Sequence, residues 1–394
     1  MKILIVASGF TGATLPLANQ WAKKGYKVVC YNFVQKDFKA IESLEFGQSV
    51  GIPNGKPILI SKDNQLYNYL DRDVDFNLLP YWKRKRRMEK ILVGKIFPLI
   101  NTKLLKRYIP YVLSERPNYV NMVIHTRLDV EVAKALYNAG IPFCMAYHEV
   151  LVGLEGNKTI MPEVKESLKI NMPIVLHSRS TAKKLVQGFN KNSISERIHI
   201  INFGPFESYL SYGEGRVPQG LPDNFILYLG HVHPYKGLRY LYEAVQLLGD
   251  NLGNIKVVVA GNGYDPIIDS MRQDSRFVVL NHFVANAELV GLIRNCQAIV
   301  CPYIAASQSG LVQTGMVFNK PIIATKVGAF EEVVRDGENG YLCEPADAKS
   351  LADAIVRFIS RDEPFSMSSV PDSLKWEIIA DKYIELFNSI NRER

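Results

Sequence analysis

The residues best suited to chemistry follow Phe225–Leu229, an apolar run with the pattern of a buried strand. Gly230, His231, Lys236 and Gly237 come directly after it, and a helical pattern begins beyond them. In open α/β sheets, ligands bind beyond the carboxyl ends of strands. A lysine beside a tight turn and a helix start suits a phosphate group. The stretch therefore predicts a phosphate-binding loop, whereas an isolated lysine after a strand would more often be a solvated surface residue.

A second candidate anion site opens a predicted helix after Pro302. The residues concerned are small and polar and then apolar: Ser307, Gln308, Ser309, Gly310, Leu311 and Val312. A helix N-terminus offers unpaired backbone N–H groups and a partial positive charge to an anion. Gly310 permits close approach of a ligand. The alternative interpretation is an ordinary serine N-cap.

The elements that position these residues alternate between strand-like and amphipathic helical patterns. Such alternation, with runs that are apolar throughout, is typical of parallel strands in a doubly wound α/β sheet. The predicted strands of a first series are Lys2–Ala7, Lys27–Tyr31, Asn121–His125, Pro142–Tyr147, Pro173–His177 and Arg197–Asn202. Those of a second series are Phe225–Leu229, Ile255–Ala260, Arg276–Leu280, Ala298–Cys301 and Pro321–Ala324. The length of 394 residues suits two domains, and the glycine- and proline-rich segment 204–223 predicts the linker between them.

The order of the motifs in the second series resembles the retaining glycosyltransferases of family 4. The motifs are Gly230-His with Lys236-Gly-Leu, Val258-Val-Ala-Gly-Asn-Gly, Ser309-Gly-Leu-Val, Lys320-Pro-Ile-Ile-Ala-Thr and Gly328-Ala-Phe-Glu-Glu-Val. The resemblance is strong over about 225–360 and weaker in the N-terminal half. It implies a GT-B fold, in which two Rossmann-like domains face each other across a cleft. The expected domains are 1–205 with a crossing helix at 370–394, and 206–369.

The resemblance also implies site residues. Those expected to act on the diphosphate or near the transferred sugar are Lys236, His231 and His148. Those expected to line the donor site are Gly230, Gly261, Gly263, Ser307, Gln308, Ser309, Gly310, Leu311, Val312 and Glu331. Gly9 and Gly12 match the first glycine-rich turn of the family, on the acceptor side. No metal and no cofactor are expected, because fixed cations and helix N-termini neutralise the diphosphate of a nucleotide-sugar donor.

The chain departs from the family pattern at two places. His231 stands where the family usually has arginine, which is always charged. The paired glutamates of the family are missing, since their positions fall near Ser307 and near Gly315 or Thr314. Gln308 is the candidate replacement for the first, and Glu331 is a nearby acid. One alternative that these losses leave open is a catalytically degenerate paralogue acting as a binding or regulatory subunit.

Basic residues are concentrated in one segment, residues 81–107. Its net charge is +9, whereas the whole chain carries +8. The cations include Lys83, Arg84, Lys85, Arg86 and Arg87, and large apolar residues stand between the basic residues. This composition favours an anionic membrane surface, although a solvated basic face is the structural alternative. No nucleic-acid module is indicated.

The remaining composition predicts a cytoplasmic enzyme that can dock on the inner face of a membrane. No apolar run reaches the length of a membrane helix, and Lys2–Ala7 is too short for a signal peptide core. The five cysteines form no CxxC pair, which argues against a disulfide framework or a zinc site. The expected partners are a nucleotide-sugar donor and a glycan or lipid-linked acceptor, in the synthesis of cell-surface polysaccharide or lipopolysaccharide.

Overall fold

The computed structural model describes residues 1–35, 40–41, 44–45, 53–82, 96–152, 159–189, 192–306, 310–363, 365 and 371–392. The strands are β1 Lys2–Ala7, β2 Lys27–Gln35, β3 Ala40–Ile41, β4 Leu44–Glu45, β5 Ile58–Leu59, β6 Val74–Tyr81, β7 Tyr119–Val123, β8 Phe143–Tyr147, β9 Leu151–Val152, β10 Thr159–Ile160, β11 Ile174–Leu176, β12 Ile198–Ile200, β13 Phe225–Leu229, β14 Lys256–Ala260, β15 Phe277–Leu280, β16 Ala298–Cys301, β17 Ile322–Thr325 and β18 Gly340–Cys343. The helices are α1 Thr11–Lys23, α2 Ile96–Ser114, α3 Arg127–Asn138, α4 Pro162–Ser167, α5 Arg179–Phe189, α6 Leu238–Leu248, α7 Ile267–Gln273, α8 Asn286–Asn295, α9 Gly310–Val317, α10 Phe330–Val333, α11 Ala348–Ile359 and α12 Trp376–Arg392.

The chain divides into two compact α/β units. Unit 1 comprises Met1–Gly204 and Trp376–Arg394, and unit 2 comprises Pro205–Lys375. The predicted boundaries after residues 205 and 369 lie one and six residues from these divisions. Each unit is built on one main parallel sheet, as the unbroken apolar runs of the sequence predicted.

Unit 1 is built on an eight-stranded sheet in the order β12-β11-β8-β7-β1-β2-β6-β5. Every neighbouring pair is parallel except β5 and β6, which are antiparallel. The chain runs outward from β1 through β2 and β6, and it returns on the other side of β1 with β7. The direction of strand order thus reverses between β1 and β7, which is where open α/β sheets leave a crevice for ligands at their carboxyl ends.

Unit 2 is built on a six-stranded sheet in the order β15-β14-β13-β16-β17-β18, with all pairs parallel. All five residues of β13, and all four of β16, are buried because helices cover both faces of the sheet. Here the strand order reverses between β13 and β16. The residues that follow these two strands are therefore the ones that the topology places at the ligand-binding edge.

The last helix, α12, packs on α1 within unit 1. The indole N–H of Trp21, a residue on α1, donates a hydrogen bond to the Ala380 carbonyl at 3.2 Å. Its ring also meets Tyr383 edge-on, and Phe387 stacks on Tyr119 at 4.8 Å between centroids. The apolar stripe of α12 is thus buried in unit 1, although the chain enters the helix directly from unit 2.

The structure differs from the predicted elements in several places, beyond the two-residue strands β3, β4, β5, β9 and β10 that the prediction also omits. The predicted strands omit β6, where Pro80 stands in a position that usually argues against a central strand. They also omit β18, which is short and begins with Gly340. The predicted linker is wrong over Glu207–Tyr212, which form a 3-10 helix. Within the same segment, Gly215 serves close packing, because a Cβ at this position would meet the backbone of α8.

Candidate functional site

The loop after β13 is fixed by hydrogen bonds to its own strand and to the neighbouring loop. The Tyr228 hydroxyl donates to the carbonyl of His231 at 3.0 Å. The backbone N–H of Val232 donates to the Asn262 carbonyl, which follows β14, at 2.7 Å. Gly230 has φ 142°, a conformation that favours glycine. These hydrogen bonds and the conformation of Gly230 therefore set the path of residues 230–233.

The same loop is tied to the residues that follow β16. The Ile304 N–H donates to the carbonyl of Tyr235 at 2.9 Å. Gly237 has φ 74°, and a Cβ at this position would collide with the carbonyl oxygen of Pro302. Glycine is thus required at 237 both by backbone conformation and by the approach of the second loop. The two loops at the reversal of strand order form one bonded assembly.

Lys236 lies in this assembly against two aromatic rings. Its Nζ is 3.8 Å from the ring centroid of Tyr303 and 5.2 Å from that of Tyr235. Tyr303 is buried, and its carbonyl accepts a hydrogen bond from the Thr325 hydroxyl at 2.6 Å. A cation over a ring face is attracted by the ring quadrupole, and this contact restricts where the ammonium can lie. The structure thus places Lys236 at the predicted edge and adds Tyr303, a residue that sequence reasoning missed.

His231 and Glu331 are both exposed. The Nδ1 atom of His231 is 3.4 Å from the side-chain oxygen of Asn262, at the same carboxyl edge as Lys236. Glu331 lies in the first turn of the four-residue helix α10, which follows β17. His231 therefore belongs to the same loop after β13 as Lys236, whereas Glu331 follows β17, two strands away from β13 in the sheet.

Close packing against the neighbouring loop explains the glycines at positions 261 and 263. Their φ values are 143° and 133°. A Cβ on Gly261 would meet the carbonyl of Gly230, and a Cβ on Gly263 would meet that of Val232. Close packing of the loops after β13 and β14 therefore accounts for both glycines. Their predicted place in a nucleotide site stays a prediction.

The second predicted anion site is described in part. Ser307, Gln308 and Ser309 lie outside the described residues, and helix α9 begins at Gly310. Leu311 is half-buried and Val312 is buried. Further along the helix, at one of the two candidate positions of the second family glutamate, a Cβ on Gly315 would meet the side chains of Ile299 and Ile322. Gly315 thus lets α9 lie close to the sheet, so that a glutamate side chain would have to displace these two core residues.

In unit 1, His148 follows β8 and is enclosed by aromatic rings. Phe10 stacks on it with 4.2 Å between centroids and 4° between planes. The ring centroid of His177 lies 4.4 Å from that of His148, and the Nδ1 atom of His177 is 2.7 Å from the Ile201 carbonyl oxygen. Burial, with a smaller contribution from neighbouring histidines, holds the pKa of His148 well below its usual range, and burial lowers the pKa of His177 to about 4. Both imidazoles are therefore neutral at pH 7.

The predicted glycine-rich turn lies at the carboxyl end of β1. Gly9 has φ 86°, and its N–H donates to the side-chain oxygen of Asn32 at 3.2 Å. Gly12 is buried in the first turn of α1. Both glycines are thus at the reversal of strand order in unit 1, next to the ring of Phe10.

The predicted membrane segment is described only at its ends. Lys83, Arg84, Lys85, Arg86 and Arg87 lie outside the described residues. Lys103, Lys106 and Arg107 are exposed on α2. Across the part of the chain that the structure describes, no helix is long and apolar enough to cross a membrane. The same part contains no group of three or more histidines, cysteines or acids arranged to hold a metal ion.

Residues 223–361, all within unit 2, match the family model described as glycosyl transferases group 1. An uncharacterized glycosyltransferase of Methanocaldococcus jannaschii is 24% identical over 311 residues, which cover 74% of this chain and 82% of that protein. A phosphatidyl-myo-inositol mannosyltransferase of Mycobacterium leprae is 24% identical over 42% of this chain, and the match spans only 46% of that relative. The resemblance predicted over about 225–360 is thus confirmed at the level of the glycosyltransferase group.

A solved structure shows the same fold over the whole chain. The catalytic domain of starch synthase IV from Arabidopsis thaliana, bound to ADP and acarbose, aligns with a TM-score of 0.66 at 12% identity, covering 99% of both chains. This likeness concerns the fold, and the family match concerns unit 2. The chain therefore has the GT-B fold, and the comparisons support a glycosyltransferase enzyme whose residues 223–361 match the group 1 family.

Proposed function

We propose that the protein is a retaining glycosyltransferase of the family 4 type. It moves a sugar from a nucleotide-diphosphate sugar to a glycan or glycolipid acceptor and keeps the anomeric configuration. Unit 2 holds the diphosphate of the donor, and unit 1 contributes His148 near the transferred sugar. The motif order over about 225–360 and the match to a glycosyltransferase group support this proposal.

One observation supports the donor site most directly. The sheet order of unit 2 reverses between two strands, and one of these strands is followed by a lysine and the other by a helix N-terminus. Lys236 follows β13, and α9 begins at Gly310 after β16. The two loops are hydrogen-bonded to each other through Ile304 and Tyr235. A fixed cation and a helix N-terminus at one crevice are the features that stabilise a departing diphosphate. Lys236 acts as a point charge on the leaving phosphate, and α9 offers backbone N–H groups to it.

The neutral imidazole of His148 suits a role other than the phosphate binding proposed for Lys236. Because burial keeps its imidazole uncharged, His148 forms no ion pair with a phosphate, but it can donate or accept a hydrogen bond with a neutral group. A sugar hydroxyl is such a group. In this proposal the acceptor proton passes to the leaving phosphate oxygen on the same face of the sugar, so no side chain needs to be a general base.

For the acceptor, we propose a lipid-linked or cell-surface glycan reached from the cytoplasmic face of a membrane. The net charge of +9 over residues 81–107, with apolar residues between the cations, supports attraction to anionic lipid. The Mycobacterium leprae relative, by its name, acts on a phosphatidylinositol, which is an anionic lipid.

A panel of nucleotide-sugars, screened by thermal unfolding, tests the donor site. A bound donor at about 100 times its Kd adds about 2.7 kcal/mol of stability. We expect at least one donor to raise the Tm of the wild-type protein and to lose most of this effect in Lys236→Ala. The matched control is Lys349→Ala, an exposed lysine of helix α11 in the same unit. Equal stabilisation of both variants would contradict the assignment of Lys236 to the diphosphate.

A further inference from the structure

Aromatic rings follow five neighbouring strands of the unit 1 sheet. Phe203 follows β12, His177 follows β11, His148 follows β8, His125 follows β7 and Phe10 follows β1. The rings are in contact in the order Phe203, His177, His148, Phe10 and His125. The distances between the centroids of successive rings are 5.4, 4.4, 4.2 and 5.1 Å. The carboxyl edge of unit 1 thus carries a continuous aromatic row, with His148 at its centre.

The Phe10 residue of this row has an unusual backbone. Its φ is 58° and its ψ is 36°, the left-handed region that a non-glycine residue enters at a cost. Gly9 before it also has a positive φ. The Phe10 carbonyl accepts hydrogen bonds from the N–H groups of Ala13 and Thr14, so this strained residue starts α1. Strain of this kind is retained where the surrounding structure fixes it, often at functional sites.

A buried carboxylate holds the turn before Phe10. Asp129, which is fully buried, accepts a hydrogen bond from the Ser8 hydroxyl at 2.7 Å. It also accepts hydrogen bonds from the backbone N–H groups of His125 and Thr126, after β7. The turns after β1 and β7 are thereby hydrogen-bonded to each other two residues before Phe10.

The ring of His148 is held by aromatic contacts. Within the described part of the chain, no hydrogen bond to its side chain is formed, whereas Phe10 covers one face at an angle of 4°. The ring centroids of His177 and Phe203 lie 4.4 and 5.5 Å from the centroid of the His148 ring. We propose that Phe10 is a positioning residue, whose stacked ring fixes the plane of the His148 imidazole and thereby aims its hydrogen bond at the transferred sugar. This inference rests on the proposed function of His148.

Two substitutions distinguish the effect of the aromatic ring of Phe10 from the effect of its side-chain volume. Phe10→Leu removes the stack and keeps an apolar side chain of similar size, and we expect kcat to fall about tenfold, since aromatic pairs contribute up to about this factor. Phe10→Tyr keeps the ring and should keep kcat within about twofold of wild type. The affinity for the nucleoside diphosphate alone should not change, because its proposed site lies in unit 2. Phe283→Leu, at an exposed phenylalanine of unit 2, is the matched control.

A double-mutant cycle tests whether Phe10 acts through His148. In a His148→Ala background, Phe10→Leu should cause no further loss of the residual kcat, because the group that it positions is gone. An equal loss in both backgrounds, or equal kcat values for Phe10→Leu and Phe10→Tyr, overturns the proposal. If Phe10→Leu fails to fold, Phe10→Asn takes its place, since asparagine tolerates the left-handed region.

A spectroscopic measurement does not depend on transfer. The nuclear magnetic resonance signal of the His148 Hε1 proton lies within the ring current of Phe10, so it should move in Phe10→Leu and stay near its wild-type position in Phe10→Tyr. An unchanged signal in Phe10→Leu overturns the stacking itself. Absence of transfer by the wild-type protein would instead refute the proposed function, and the signal would still decide whether Phe10 fixes the imidazole.

Discussion

At the scale of single residues, both candidate sites hold a nitrogen-bearing side chain against an aromatic ring. In unit 2 the ammonium of Lys236 lies over Tyr303. In unit 1 the imidazole of His148 is stacked on Phe10. The first group is a cation, and burial keeps the second neutral. The first group therefore suits an anionic phosphate, and the second suits a neutral hydroxyl group.

Asp129 gives a residue-scale prediction about pH. Burial raises its pKa from 3.8 to about 6, although its hydrogen bonds with Ser8 and Thr126 oppose this shift. The folded state therefore holds the proton more tightly than the unfolded state, so the contribution of Asp129 to stability is present below pH 4 and lost as the pH rises to about 6. The change corresponds to about 3 kcal/mol at about 1.4 kcal/mol per pH unit.

Chemical denaturation of wild type and Asp129→Asn between pH 4 and 7 measures this contribution. Asparagine is always neutral and has nearly the shape of the protonated acid. We expect the free energy of unfolding of wild type, relative to the variant, to fall across this range. A difference that is constant with pH, or that rises, would show that Asp129 is ionised throughout.

At the scale of elements, the glycines of unit 2 set how closely the loops of neighbouring strands approach. Gly237→Ala should lower the free energy of unfolding more than Gly337→Ala does. Both residues have a positive φ, of 74° and 83°, but only at Gly237 would a Cβ meet a backbone atom, the Pro302 carbonyl. The left-handed backbone costs about 1–2 kcal/mol in each variant, and overpacking adds about 1–3 kcal/mol at Gly237.

Denaturation of the two variants under identical conditions gives the comparison. The excess loss in Gly237→Ala isolates the contact between the loops after β13 and β16. Equal losses would mean that the loops separate at little cost, and the account of a bonded assembly at the reversal of strand order would be wrong.

The sequence predicts elements well where an apolar run is long enough to be buried on both faces. The strands Phe225–Leu229 and Ala298–Cys301 have the predicted bounds. The prediction fails at β18, because Gly340 is typical of a turn. In the structure glycine is needed there, since a Cβ at this position would meet the backbone of β17. That requirement comes from a neighbouring strand, which local patterns do not contain.

The same limit applies to the sites. Lys236 is predictable because a lysine, a glycine and a helix start follow one strand. Tyr303 is not, since its contact with Lys236 depends on the pairing of β13 with β16, about 70 residues later in the chain. Phe10 is hidden in the same way, because its ring meets His148 only when β1, β7 and β8 are neighbours.

At the scale of the whole molecule, the excess of positive charge lies in one segment of unit 1. If residues 81–107 dock on anionic lipid, binding to acidic vesicles should fall steeply with salt, because the Debye length shrinks from about 10 Å at 0.1 M to about 3 Å at 1 M. Changing Lys83, Arg84, Arg86 and Arg87 to serine should release the protein from vesicles. Binding of the nucleotide-sugar, which we assign to unit 2, should not change.

Vesicle sedimentation at several salt concentrations measures this binding. The control variant removes four exposed cations of unit 2: Arg239, Lys326, Arg335 and Lys349. It has the same net charge as the test variant, and it should bind vesicles like the wild-type protein. Equal release by both variants would indicate a general charge effect. Retention of the test variant would show that the segment is a solvated face.

The central claim is that the chain transfers a sugar from a nucleotide-diphosphate donor with retention and without a metal. The most direct test incubates the purified protein with the stabilising donor, an acceptor and EDTA, and determines the anomeric configuration of the product by nuclear magnetic resonance. The account predicts a glycoside with the configuration of the donor, formed as fast in EDTA as without it. An inverted product, or transfer that stops in EDTA and resumes with manganese, would contradict it.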